Sequence, residues 1–275
     1  MNRLLALLLL LPTAAVAGPW VRPLGSGFAK VGVTHFRSSN GVNFGVSTGL
    51  AYRSTAVDTY VEAGLGRGFQ VVASLPYVAA YNQASGDVRW RHQWAGDLRL
   101  ELDTRLHKSK PFALGVEMRV PTYRDPADYV AAKGMTAQML EATASNFPQL
   151  GDTNLDITVK GMAGASFKRG WVTGELGPRF RTEGFASGVF GASSVGLWAV
   201  PEHLGVNLYT NANLNLWGGS AAVASRELWY VEGSVFATGL DALPGAGLQL
   251  GVGGIPVARN SARGVSFIGS ATMTW

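Results

Sequence analysis

The stretch Trp94–Leu106, WAGDLRLELDTRL, decides the fold. Trp94, Gly96, Leu98, Leu100, Leu102 and Leu106 are apolar or small at every second position, and Thr104 is the one hydroxyl among them. Asp97, Arg99, Glu101, Asp103 and Arg105 fill the positions between. A helix turns about 100° per residue and would scatter those charges; a strand places them all on one face. One face is therefore greasy and the other heavily charged. In a soluble sandwich the greasy face meets another sheet. In a membrane barrel it meets lipid, and the charged face meets a wet lumen.

Composition narrows the choice. Of 275 residues, 47% are hydrophobic, only 15% are charged and 36 are glycine, with no soluble-helix pattern. That suits a sheet with one face in lipid and a crowded interior. The net charge of +5 would raise nucleic acid as a partner, but many basic residues alternate with acidic ones along strands, so no nucleic-acid role is expected.

The N-terminus has the order of a secretory signal: Arg3, the apolar run Leu4–Leu11, Pro12, and the A-x-A site Ala15-Val16-Ala17. Residues 1–17 are expected to be removed, leaving a mature chain from Gly18 to Trp275 as one domain. There is no cysteine, hence no lipidated cysteine or disulfide. No apolar run of 18 residues follows the signal, which excludes a helical membrane protein and leaves a barrel as the membrane solution.

The alternation predicts about twelve strands, in a single transmembrane antiparallel up-and-down β-barrel. Ala29, Val31 and Val33 are expected outward, as are Phe69, Val71, Ala73, Leu75 and Tyr77. The segment 204–216 alternates nearly as cleanly, with Leu204, Val206, Leu208, Leu214 and Leu216 facing away from an asparagine row. Arg37–Ser54, the segment YNQASGDVRWRHQ (81–93) and Pro121–Gly151 are expected as loops. In the last of these, the longest extracellular loop, Asp125-Pro126 resembles a helix N-cap followed by proline, and a short helix is expected from Ala127 towards Ser145.

Three features favour a barrel in the bacterial outer membrane. Short connections (GRG, HKSK, KRG, PEH, DALPG) alternate with longer polar ones, and an even strand count puts both termini on the short-turn side. Tryptophans fall at strand ends: Trp94, Trp217 and Trp229 near the outer rim, Trp171, Trp198 and Trp275 near the inner rim, as expected of aromatic girdles. The chain ends in Trp275 with apolar or small residues at every second preceding position, which resembles the C-terminal signal read by the barrel assembly machinery. The expected partners are that machinery, outer-membrane lipid with lipopolysaccharide, and a small-molecule solute.

The segment Thr55–Val78, TAVDTYVEAGLGRGFQVVASLPYV, resembles the corresponding segment of the phenol-degradation MetA-pathway family of outer-membrane proteins. GSGFAKVGVTHF, PQLGDTNLDITVKGMA and GELGPRFR are similar to later parts of that family, in the same order. The turn GLGRGF lacks the family's usual threonine, and Trp275 stands where phenylalanine is commoner. The resemblance implies a barrel and passage of small aromatic or hydrophobic compounds.

The expected lumen-lining residues are Lys30, Asp58, Glu62, Asp97, Arg99, Glu101, Asp103, Arg105, Glu117, Arg119, Asp156, Lys160, Glu175, Arg179, Arg181, Asn207, Asn211, Asn213 and Asn215. The charges are of mixed sign. They suit either an internally paired, rigid plug or a polar path with a local field. The asparagines offer donors and acceptors for a neutral solute, or a structural network. Trp90 and Trp94, interleaved with Arg89, Arg91 and His92, suit contact with outer-leaflet phosphates or a solvated loop. His35 and His92 lie near the outer rim with Ser38 and Ser39, without the spacing of a nucleophile and its base. No catalytic site, metal site or cofactor is expected. The expected function is passage of small solutes; a non-conducting scaffold or surface binder is the alternative, and a barrel lipase or acyltransferase the third.

Overall fold

The computed structural model describes residues 19–40, 42–43, 46–47, 49–84, 89–123, 148, 154–220, 226–240 and 243–275. The segment of the expected signal peptide, the helix expected over 127–145 and most of the longest loop lie outside the described residues.

The strands are β1 (Gly27–Ser38), β2 (Val42–Asn43), β3 (Val46–Ser47), β4 (Ala51–Gly66), β5 (Phe69–Gln83), β6 (Arg89–Ala95), β7 (Asp97–Arg105), β8 (Phe112–Pro121), β9 (Asp156–Phe167), β10 (Gly170–Arg181), β11 (Ser187–Val200), β12 (Leu204–Trp217), β13 (Glu227–Leu240), β14 (Leu243–Arg259) and β15 (Val265–Thr274). Every pairing is antiparallel. β1 pairs with β4 on one side and with β15 on the other, so the sheet closes on itself. β6 and β7 both pair with β5 and are two halves of one stave, which gives twelve staves in the closed barrel. β2 and β3 form a small hairpin of their own between β1 and β4. Closure removes the unpaired edges that lipid cannot satisfy.

Burial is inverted relative to a soluble protein. Leu250 is 70% exposed and Leu176 63%, while Lys160 and Asp103 are each 1% exposed. The apolar band therefore faces outward and the charges face inward, which the two-residue period of a strand achieves without any irregular backbone. The short turns GRG, HKSK, KRG and PEH all lie at the end that carries Gly27 and Trp275. In the first, Arg67 (φ 53°) and Gly68 (φ 85°) take the left-handed conformation that a two-residue hairpin of matching twist requires.

Three expectations change. The segment 81–93 is not a loop: β5 and β6 stay paired from Tyr77↔Ala95 to Gln83↔Arg89. Ladder hydrogen bonds carry strands past the apolar band, where alternation no longer marks them. Second, the stave is broken at Gly96. Tyr77 pairs with Ala95 but Ser74 with Arg99, so three steps on β5 oppose four on β6–β7. The extra residue is a bulge, closed by Gly96 N–H donating to Pro76 O (2.7 Å), and it reverses which parity faces inward. Trp94, opposite Val78, thus lies on the inner face and not with Leu98, Leu100 and Leu102. Third, Trp171 and Trp198 are no lipid girdle. Both are buried and face inward, whereas Trp217, Trp229 and Trp275 are exposed.

Candidate functional site

The charges of β7 to β10 form one ladder on the inner wall. Arg99 is paired with Glu101 and, through Nε, with Glu117 Oε2 (2.8 Å); Arg119 Nε donates to Glu117 Oε1 (2.5 Å). Lys160, its side chain wholly buried, places Nζ 2.6 Å from Glu175 Oε2, 2.9 Å from Glu101 Oε1 and 3.5 Å from Glu117 Oε2. Asp156 takes Arg179 and Arg181, the latter at 3.0 Å. The register puts Glu101 directly opposite Glu117, and Arg99 directly opposite Arg119. Like charges facing one another across a ladder repel. The diagonal pairs Arg99–Glu117 and Lys160–Glu101 relieve this, and the result is a cross-braced lattice.

Glycine makes room for it. A Cβ at Gly115 would lie 2.5 Å from Asp103 Oδ1 and 3.1 Å from Glu101 Oε1. Asp103 itself accepts from Gln70 Nε2 (3.0 Å). Asp97 and Arg105 complete the inner face of β7, and Arg105 donates to Val21 O (2.5 Å).

Each of the four asparagines bonds a neighbouring group. Asn213 Oδ1 accepts from Arg179 (2.9 Å), Asn207 Oδ1 from Ser194 (2.7 Å), Asn211 Nδ2 donates to Tyr209 Oη (3.1 Å), and Asn215 Nδ2 to Arg226 O (3.4 Å). On the other side of the barrel the inner wall is sparser. Asp58 accepts from Thr34 (3.0 Å), and Glu232 from Tyr230 (3.1 Å) and Gln249 (3.3 Å).

Two parts of the interior were not anticipated. The first is an aromatic cluster near the short turns: Trp171, Trp198 and Phe236, with ring centroids 5.0–5.8 Å apart. Trp171 has the inward parity of Glu175 on its own strand, so the signal was present in the sequence. The second is the N-terminal segment. Pro19–Ser26 runs inside the barrel at the short-turn end, crossing β9, β8, β7, β5 and β4 in turn. Val21 is buried with Ala113 and Met162; Arg22 N–H donates to Gln70 Oε1 (3.0 Å), and Arg22 Nε to Glu62 Oε2 (2.5 Å). Tyr60 also donates to Glu62 (2.7 Å). No alternation in residues 19–26 announces this position.

Between these parts lies a cavity of about 470 Å³. Phe28, Trp171 and Phe236 form its floor towards the short turns. Lys30, Asp58, Tyr60, Arg99, Glu175, Tyr209 and Glu232 stand around it higher up. Such a volume is that of a small-molecule site. The site thus pairs an aromatic floor with polar walls, and of its charges Arg99 and Glu175 are neutralised by the ladder.

His35 and His92 do not come together. His35 faces outward and contacts Thr55 Oγ1 (2.9 Å), whereas His92 is buried on the inner face against Pro148 O (3.2 Å). Ser38 is occupied with Asn40 O (2.7 Å). No nucleophile–base pair forms among these residues.

The outer-membrane channel of the COG4313 group from Pseudomonas putida F1 aligns with 93% of this chain and 97% of its own, at a TM-score of 0.65 and 12% identity. The two share a fold. Both are closed, antiparallel β-barrels. The translocator domain of the autotransporter NalP from Neisseria meningitidis (TM-score 0.45, 9% identity, 96% and 91% of the two chains) resembles this chain more loosely. So does a FadL homologue from Pseudomonas aeruginosa (0.43, 6%, 90% and 90%). No protein-family model matches the chain, that of the phenol-degradation family included, and no curated protein matches it.

Proposed function

We propose that the chain is an outer-membrane channel for small solutes with an apolar or aromatic body. One observation carries the reading: the cavity inside the barrel has an aromatic floor of Phe28, Trp171 and Phe236 beneath polar walls. An apolar ring is held by the floor through area burial and edge-to-face contact, while Tyr60, Tyr209 and Glu232 offer hydrogen bonds to a substituent. The mixed, paired charges create no single-sign ring, so neither strong anion nor strong cation selectivity is expected. The resemblance of Thr55–Val78 to the phenol-degradation family supports aromatic solutes, and the shared fold with an outer-membrane channel supports passage.

The extent of the ladder favours a second reading, a non-conducting scaffold, because a lattice with Lys160 and Glu101 wholly buried is rigid filling. Single-channel recording of the refolded mature protein in planar bilayers separates the two. Discrete openings, together with faster entry of benzoate or phenol than of a sugar of similar size into proteoliposomes, are expected. A folded protein that never opens and admits no aromatic solute removes the channel.

A further inference from the structure

On the lipid-facing surface at the long-loop end, Arg37 of β1 lies directly opposite Arg53 of β4, Arg53 opposite Tyr81 of β5, and Tyr81 opposite Arg91 of β6. Four neighbouring strands thus present three arginines and a tyrosine in one straight row, about 14 Å across at about 4.8 Å per strand. The row one step lower is uncharged, with three polar groups and one alanine: His35, Thr55, Ala79 and Gln93. The next is Val33, Val57, Tyr77 and Ala95, within the apolar band. From Gly27, bonded to Trp275 at the short-turn end, to Arg37 the strand climbs roughly 25 Å at about 3.3 Å per residue and about 40° of tilt, the height of the apolar band. The arginine row therefore stands where the outer leaflet places its headgroups.

Its charge is not neutralised from within. Arg37 Nε donates to His35 Nε2 (2.9 Å) and Arg53 Nη1 to Tyr81 Oη (3.5 Å), both neutral acceptors that aim the guanidinium groups and leave their charge intact. Among the described residues none forms an ion pair with Arg37, Arg53 or Arg91. Two arginines directly opposite on antiparallel strands repel, and a carboxylate would be the usual remedy. Further round the rim, Arg259 has such a partner, Glu227, at 3.9 Å. The other strands end outward in groups such as Phe180, Leu216 and Trp229. On this face three arginines without an ion pair among the described residues stand on adjacent strands.

We propose that Arg37, Arg53, Tyr81 and Arg91 form a binding site for the phosphates of a phosphorylated glycolipid in the outer leaflet. Guanidinium groups bind phosphate oxygens bidentately, and a row 14 Å wide spans a disaccharide-sized headgroup with phosphates at its ends. The acyl chains of such a lipid would lie along the band below, over Val33, Val57 and Tyr77.

The test uses the refolded mature protein in neutral detergent micelles, with bisphosphorylated lipid A as probe and native mass spectrometry as readout. Wild type is expected to retain lipid A with an affinity that falls as salt is raised. The triple variant Arg37→Gln/Arg53→Gln/Arg91→Gln is expected to lose at least tenfold, while Arg259→Gln keeps wild-type affinity. Dephosphorylated lipid A is expected to bind as weakly to wild type as intact lipid A binds to the triple variant. Folding is checked by heat-dependent gel mobility; if the triple variant does not fold, Arg91→Gln alone should lose about threefold. Equal retention of lipid A by the folded variants overturns the site, as does equal binding of the dephosphorylated lipid. Inorganic phosphate that competes as tightly as lipid A assigns the row to free anions and overturns the lipid.

Discussion

Lys160 of β9 reaches past Gly115 of β8 and sets its ammonium 2.9 Å from Glu101 of β7. One side chain thus ties three staves together, and its approach to Glu175 (2.6 Å) brings in a fourth. Replacing Lys160 with Met should strip the cation from three carboxylates at once. Breaking a buried pair by removing one partner costs about 3–5 kcal/mol. Urea unfolding in phospholipid vesicles should show a loss of that order, and the double variant Lys160→Met/Glu101→Gln should recover part of it. Wild-type stability in Lys160→Met would mean that the ladder does not brace the barrel.

Gly115 is the space into which Asp103 and Glu101 project. Gly115→Val would push both carboxylates and Met162, and a cost of about 1–3 kcal/mol is expected in the same unfolding measurement. Gly233, whose Cβ would meet nothing within 4 Å, should accept Ala with far less effect.

The orientation of β7 makes a paired prediction. Leu100 faces lipid, whereas Glu101 faces the lumen. Leu100→Arg should cost about 2–4 kcal/mol at mid-band. Leu106→Arg, beyond the strand end and 62% exposed, should cost little by comparison. Equal costs at the two positions would contradict the placement of the band.

The floor of the cavity is expected to limit passage. Trp171→Ala opens the cluster with Trp198 and Phe236, and should raise single-channel conductance and the entry of aromatic solutes too bulky for wild type. It should also lower stability by about 3–5 kcal/mol, the cost of truncating a buried aromatic residue. An unchanged conductance in a folded Trp171→Ala protein would place the narrowest point elsewhere.

The N-terminal segment gives an independent test of the same region. Arg22→Ala removes the partner of Glu62 and should loosen Pro19–Ser26 from the inner wall. A more frequent opening, together with faster proteolysis within Pro19–Ser26, is the expected outcome. Deletion of residues 19–24 should show the larger effect; if neither variant changes conductance or proteolysis, the segment is not an obstruction.

The sequence by itself determined the barrel and the two faces of its staves. A strand has a period of two, so LRLELDTRL and LGVNLYTNANLNL each present one apolar and one polar face, and the alternation of short and long connections favours lipid over a second sheet for the apolar one. From parity alone, Lys160, Glu101, Glu175 and the asparagine row fall on the inner wall. Parity also held the answer for Trp171, which shares the face of Glu175. Position near a strand end suggested a girdle instead, and burial shows that it faces inward.

Tertiary structure decided what parity cannot reach. Which charge meets which depends on register between strands far apart in the chain, so the cross-bracing of Lys160 with Glu101 follows only from the pairings of β7, β8 and β9. The bulge at Gly96 reverses parity halfway along a stave, and an unbroken alternation hid it because Gly96 has no side chain to betray its face. The row of Arg37, Arg53 and Arg91 exists because the register of β1 with β4 sets Arg37 opposite Arg53, and strand extension carries β5 and β6 beyond the apolar band. The path of Pro19–Ser26 inside the barrel is set by contacts with five staves, none of which is adjacent to it in sequence except through β1. Local alternation is a property of a few successive residues; closure, register and the course of the N-terminal segment are properties of the whole ring.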